Sequence, residues 1–147
     1  MKRILILLTA LLMVSVTAVS ETVYVLCQPD SFVYVRAFPK RGAQVAGYAE
    51  LGQELETDGE RRNGFVKVEG FEGDGWINAG FVTPFPVTVE TIEGWVNSSG
   101  RVACRRSIKG TRRKWLSDGT DVTIYARADD WSITDKGFIQ TAFLGGF

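Results

Sequence analysis

Beyond residue 20, apolar and polar residues alternate in short runs cut by Gly, Pro, Asn and Asp. This is the period-two pattern of half-buried strands, and no window sustains a helical period. Residues 22–26 (TVYVL) read as a strand before the turn signal Gln28-Pro29-Asp30-Ser31. Residues 32–36 form the next, with Val33 and Val35 on one face and Tyr34 and Arg36 on the other. Residues 38–42 (FPKRG) are a loop, because Pro and Gly interrupt a ladder there. A short strand follows at 44–48. Residues 54–57 and 65–68 make a hairpin around Asp58-Gly59 and Asn63-Gly64, dipeptides that accept positive φ. Trp76 and Ile77 open a further strand, and Phe81-Val82 close the set after a tight turn.

The same pattern then returns. Residues 75–82 (GWINAGFV) match residues 137–144 (GFIQTAFL) without a gap, and residues 27–36 align on 96–105. Val33 and Val35 fall on Val102 and Cys104, Arg36 on Arg105, Gly52 on Gly119 and Phe65 on Trp131. The chain therefore reads as one small β unit built twice, residues 21–83 and 94–147, with Pro84 and Pro86 stiffening a linker at 84–93. Short strands and regular turns without helices make an all-β fold. Each unit has about 60 residues, marginal for folding alone, and closure into a small barrel would remove exposed edges.

Residues 1–20 have a different character. Lys2 and Arg3 precede an apolar run from Ile4 to Val14, and Ala18-Val19-Ser20 offers small residues for a peptidase. This is the pattern of a secretory signal peptide cleaved after Ser20, and its apolar stretch is shorter than a spanning helix requires. Removal leaves 15 basic against 17 acidic residues, and no further segment that could span a bilayer. The expected location is secreted, extracellular or wall-associated. The charge is polarised: residues 21–93 hold 12 acidic and 6 basic residues, residues 94–147 hold 5 and 9. The halves either attract each other or face different partners.

The run Val33-Tyr34-Val35-Arg36, Gly47 and Gly52, Asn63-Gly64-Phe65-Val66-Lys67-Val68 and Gly75-Trp76-Ile77 resembles bacterial SH3-like (SH3b) domains of exported proteins. The second unit resembles them at residues 101–105 (RVACR) and 136–139 (KGFI). Tyr34 stands where the usual pattern has Asn. The resemblance implies two SH3-like β-barrels in tandem and binding of bacterial cell-wall material, often beside a hydrolase domain; within residues 21–147 no hydrolase domain is expected.

The residues narrow the chemistry further. The chain has no His, which removes Ser-His-Asp and Cys-His nucleophile pairs and His-containing metal sites; two Cys cannot close a structural zinc site alone. No phosphate loop or dinucleotide fingerprint occurs, so no cofactor is expected. Glu54, Glu56, Asp129 and Asp130 fit solvated strand and turn positions better than a glycosidase pair. The expectation is a binding protein, not an enzyme. Export would permit a disulfide between Cys27 and Cys104, stapling unit to unit; the other reading is two buried thiols, with Cys104 in the place of inward-facing Val35.

Two sets of residues stand out as a candidate binding site. Arg101, Arg105, Arg106, Lys109, Arg112, Arg113 and Lys114 form a basic cluster beside Trp115, with 109–114 expected as a loop. Clustered Arg near an aromatic suits phosphate or carboxylate recognition: teichoic acid, wall carboxylates or an acidic protein. A solvated loop balancing the acidic first unit is the plainer account. Nucleic acid is disfavoured by export and the acidic balance. Tyr34 and Phe38 are candidates for an aromatic groove floor, whereas Trp76 and Trp131 recur in the repeat and read as core. The partner is then wall peptidoglycan or an associated anionic polymer; the alternative is a protein-interaction or assembly factor docking on another exported protein.

Overall fold

The computed structural model describes residues 20–147. The expected signal segment, apart from Ser20, lies outside the described residues. The described chain is all-β, with fifteen strands and two single-turn 3-10 helices. None of the described helices is long and apolar enough to cross a membrane.

The first half runs β1 (Glu21–Val25), β2 (Val33–Arg36), β3 (Val45–Ala49), β4 (Glu54–Thr57), β5 (Arg61–Arg62), β6 (Phe65–Val68) and β7 (Gly75–Asn78). A 3-10 turn, Ala79–Phe81, then leads into β8 (Val82–Thr83). Its strands form two antiparallel sheets, ordered β4-β1-β8 and β3-β2-β7-β6-β5. The second half runs β9 (Thr88–Val96), β10 (Val102–Arg105), β11 (Arg112–Leu116), β12 (Asp121–Arg127), β13 (Trp131–Thr134) and β14 (Gly137–Gln140). The turn Thr141–Phe143 and β15 (Leu144–Gly145) complete it. These strands form one sheet, ordered β11-β10-β14-β13-β12-β9-β15.

Most strands of the first half have a counterpart in the second, β5 being the exception. β1 lies between β4 and β8 as β9 lies between β12 and β15. β2 pairs with β3 and β7 as β10 pairs with β11 and β14. Both sequence-aligned residues Val35 and Cys104 are fully buried. Gly52 and Gly119 take φ of +81° and +80° in matching turns, a conformation that favours glycine. The ladders close neither half into a barrel. In the second half β12 pairs with β13, but β4 and β6 form no ladder, and the Glu69 N–H reaches the Glu56 carbonyl at 2.9 Å instead.

Two stretches differ from the sequence reading. Residues 88–93, expected within the linker, begin β9, where Thr88, Val89, Thr91 and Ile92 supply β-branched side chains and Thr88, Val89 and Ile92 pair against β12. Residues 112–114, expected in a loop, belong to β11, whose ladder to β10 runs from Val102↔Leu116 to Arg105↔Arg112 across a bulge.

Three apolar clusters result from the alternation. One fills the first half around Val25, Val35, Leu55, Val66 and Ile77, and a second fills the other half around Val96, Cys104, Val122, Ile124 and Ile139. A third joins them: Leu26 of the first half packs with Ala126, Trp131, Ile133 and Phe138 of the second, flanked by Leu51, Phe81, Val87 and Ile108. Burying Leu26 there contributes roughly 1.5–3 kcal/mol. Polar groups register this seam. Ile108 N–H donates to Gly80 O at 2.8 Å, Gln28 Nε2 to Thr134 O at 3.1 Å, and Thr83 Oγ1 to Asp130 Oδ1 at 2.9 Å. Among the described residues no ion pair crosses the seam. The opposite charges of the halves are therefore not matched at this contact, which is apolar and hydrogen-bonded.

Candidate functional site

The seam opens into a cleft of about 650 Å³. One side is supplied by Phe32, Tyr34 and Arg36, on or just before β2, with Arg41 from the following loop. The other side carries Arg105 at the end of β10, Arg106 after it, and Arg113 on β11. Cys27, Val33 and Phe138 are its buried lining, and the side chains of Phe81 and Phe138 meet at 6.0 Å between ring centroids. Gln28, Asn63 and Asn78 add amides. Among the described residues five arginines line the cleft and no carboxylate does.

Those arginines do different work. Arg36 Nη1 donates to Ala43 O at 2.7 Å, and Arg105 Nη1 donates to Gly110 O at 2.9 Å. Each ties its strand to the loop that follows. Arg36 also stacks on Tyr34, 5.2 Å from the ring centroid. Arg41, Arg106 and Arg113 are exposed and make no ion pair among the described residues. They are the groups whose forked donors are free for an anion. Tyr34 is 43% exposed and belongs to a trio with Phe32 and Tyr48, with centroids 4.9–5.5 Å apart.

The structure thus divides the residues picked from sequence. Tyr34, Arg105, Arg106 and Arg113 come together in the cleft. Phe38, Lys109, Arg112, Lys114 and Trp115 do not line it. Phe38 is 65% exposed on its loop. Lys109 sits in the β10–β11 connection with φ of +55° and lines a smaller hollow with Val102, Trp131 and Phe143. Trp115 lies between the guanidiniums of Arg101 and Arg112, at 4.3 and 4.5 Å from its centroid. Phe32, Arg36, Arg41, Asn63 and Phe138 were not singled out, because their convergence depends on how the halves meet. The repeat did carry one signal: Arg36 and Arg105 hold the same register.

The disulfide left open by the sequence is not formed. Cys27 and Cys104 are free and buried in separate clusters. Burial, helped by the nearby Glu50 charge, pushes the Cys27 thiol up to about 11. Burial also raises Cys104, against the lowering pull of Arg113 and Lys114, and its Sγ donates to Lys136 O at 3.0 Å. Neither thiol is poised as a nucleophile.

Residues 31–83 match the family model of the bacterial SH3 domain. No curated protein matches the chain. Among solved structures it is similar to NlpC1 from Trichomonas vaginalis, at 16% identity and a TM-score of 0.39, covering 90% of this chain and 48% of that one. It is also similar to NlpC2 from Trichomonas vaginalis, at 14% identity and a TM-score of 0.38, covering 89% and 49%. The chain spans about half the length of these structures. Its first half thus carries a bacterial SH3 domain within an all-β architecture.

Proposed function

We propose that this chain is an exported, non-catalytic binding protein of two SH3-like units that recognises cell-wall peptidoglycan or an associated anionic polymer. The first unit spans residues 21–83. The second begins with β9, which shortens the linker to 84–87. Residues 1–20 direct export. The observation that carries the reading is the cleft between the units, where exposed arginines and aromatic faces converge with no carboxylate among them. Guanidinium forks take the anionic groups of such a polymer, and the rings of Tyr34 and Phe32 offer flat faces to sugar or peptide.

The test is retention on purified walls. Wild type is expected to be retained and released by salt, and Arg106→Glu with Arg113→Glu to lose retention. A wild type that washes through walls at low salt would sink the reading. A second reading, docking on another exported protein, is supported by the exposed trio of Phe32, Tyr34 and Tyr48. Retention by one protein partner, abolished by Tyr34→Ala with Tyr48→Ala and indifferent to walls, would favour it.

A further inference from the structure

Two surface features lie outside the cleft and complement each other. The first is Trp115 on β11, the outermost strand of the seven-stranded sheet. It is 42% exposed, and the guanidiniums of Arg101 and Arg112 lie over its ring at 4.3 and 4.5 Å. Cation–π stacking on an indole limits its motion, so the ring stands as a rigid knob carrying two positive charges. The second feature is a groove of about 410 Å³ beside β4. Leu55 and the half-buried Phe71 give it apolar lining, and Glu54, Glu56 and Glu69 give it an acidic border. Glu56 already accepts from Thr22 Oγ1 at 2.9 Å. Glu54 and Glu69 have no ion-pair partner among the described residues, nor do Arg101, Arg112 and Lys114.

Knob and groove sit on different halves of the chain and do not meet within it. The seam between the halves uses other residues altogether. We propose that they meet between molecules: Trp115 of one copy enters the β4 groove of a second copy of this chain, with Arg101 and Arg112 facing Glu54 and Glu69. Tryptophan and arginine are enriched among the residues that carry most of an interface's binding energy, and the opposite charges of the two patches favour the pairing. Because the two patches differ, the contact is head to tail and leaves a free knob and a free groove at the ends. It extends into rows of copies and presents the cleft repeatedly along a polymer. Arg106 and Arg113 take no part, so this inference stands or falls separately from wall retention.

Sedimentation velocity of the purified secreted protein tests it, across a concentration series at low and high salt. Wild type is expected to form dimers and longer species at low salt and to dissociate at high salt. Trp115→Ala, which keeps the groove, and Glu54→Lys with Glu69→Lys, which keeps the knob, each associate at least about thirtyfold more weakly. An equimolar mixture of the two restores a dimer that grows no further, which also shows that both variants are folded. A wild type monomeric at every concentration and salt, variants that associate like wild type, or a mixture that fails to pair would each overturn the proposal.

Discussion

Arg36 and Arg105 occupy the same post in the two halves. Each ends the strand bearing a fully buried Val35 or Cys104, and each donates Nη1–H to a loop carbonyl, Ala43 O at 2.7 Å and Gly110 O at 2.9 Å. The guanidinium thereby fixes the loop that carries Arg41 in one half and the bend before Arg112 in the other. Arg36→Met or Arg105→Met is expected to cost about 1.5–3 kcal/mol, the range for a hydrogen bond from a charged donor. Urea midpoints check it.

The apolar seam is expected to couple the halves into one folding unit. Leu26 is fully buried against residues of the second half. Leu26→Ala should cost about 2–5 kcal/mol. Calorimetry should show a single transition in wild type, moved to lower temperature in the variant. Two resolved transitions in wild type would show that the seam does not couple them.

Gly137 is fixed by both space and backbone. Its φ is +134°, and a Cβ there would lie 2.8 Å from Arg105 O and 2.9 Å from Cys104 Sγ. Gly137→Ala is expected to cost at least about 1–3 kcal/mol from backbone strain, with the clash added. Gly42→Ala is the control: its φ is +82°, but a Cβ there meets nothing within 4 Å. Its loss should be the smaller in the same denaturation series.

Cys27 gives the protein an alkaline weakness. Its folded thiol is raised from 9.0 to about 11, by burial first and the Glu50 charge second. A raised thiol binds its proton more tightly when folded than when unfolded. Stability from this group is therefore full below about pH 9 and is lost as pH rises toward 11. Urea unfolding from pH 8 to 11 should show that decline, with a shallower slope in Cys27→Ala. Thiol labelling of the folded protein at pH 8 should be slow at both cysteines.

The alternation of Val33, Val35, Val66 and Val68 with polar neighbours placed strands β2 and β6, because side chains on a strand face opposite sides and only one face meets the core. The internal repeat carried that placement into the second half, where Gly119 and Trp131 fall as Gly52 and Phe65 do. β9 was less visible. Gly94 and two Glu among its nine residues look like loop, and pairing to β12 outweighs that local preference. The cleft was legible only in part. Charge density drew attention to residues 105–114, but an arginine's direction depends on ladder register, and the bulge in β10–β11 separates Arg113 in the cleft from Arg112 on Trp115. Arg41 and Phe138 were hidden because nothing local says that the halves converge there.

β1 is hydrogen-bonded along both sides, with Val23 opposite Leu55 and Val25 opposite Val82, yet the stretch recognisable as a bacterial SH3 domain starts only at residue 31. A fragment trimmed to those borders would lack the middle plank of its smaller sheet. β4 and β8 would be left as two bare margins with Leu55 and Val82 uncovered, open to whatever strand arrived first. For this chain, the portion that sequence comparison can recognise is smaller than the portion that can stand by itself.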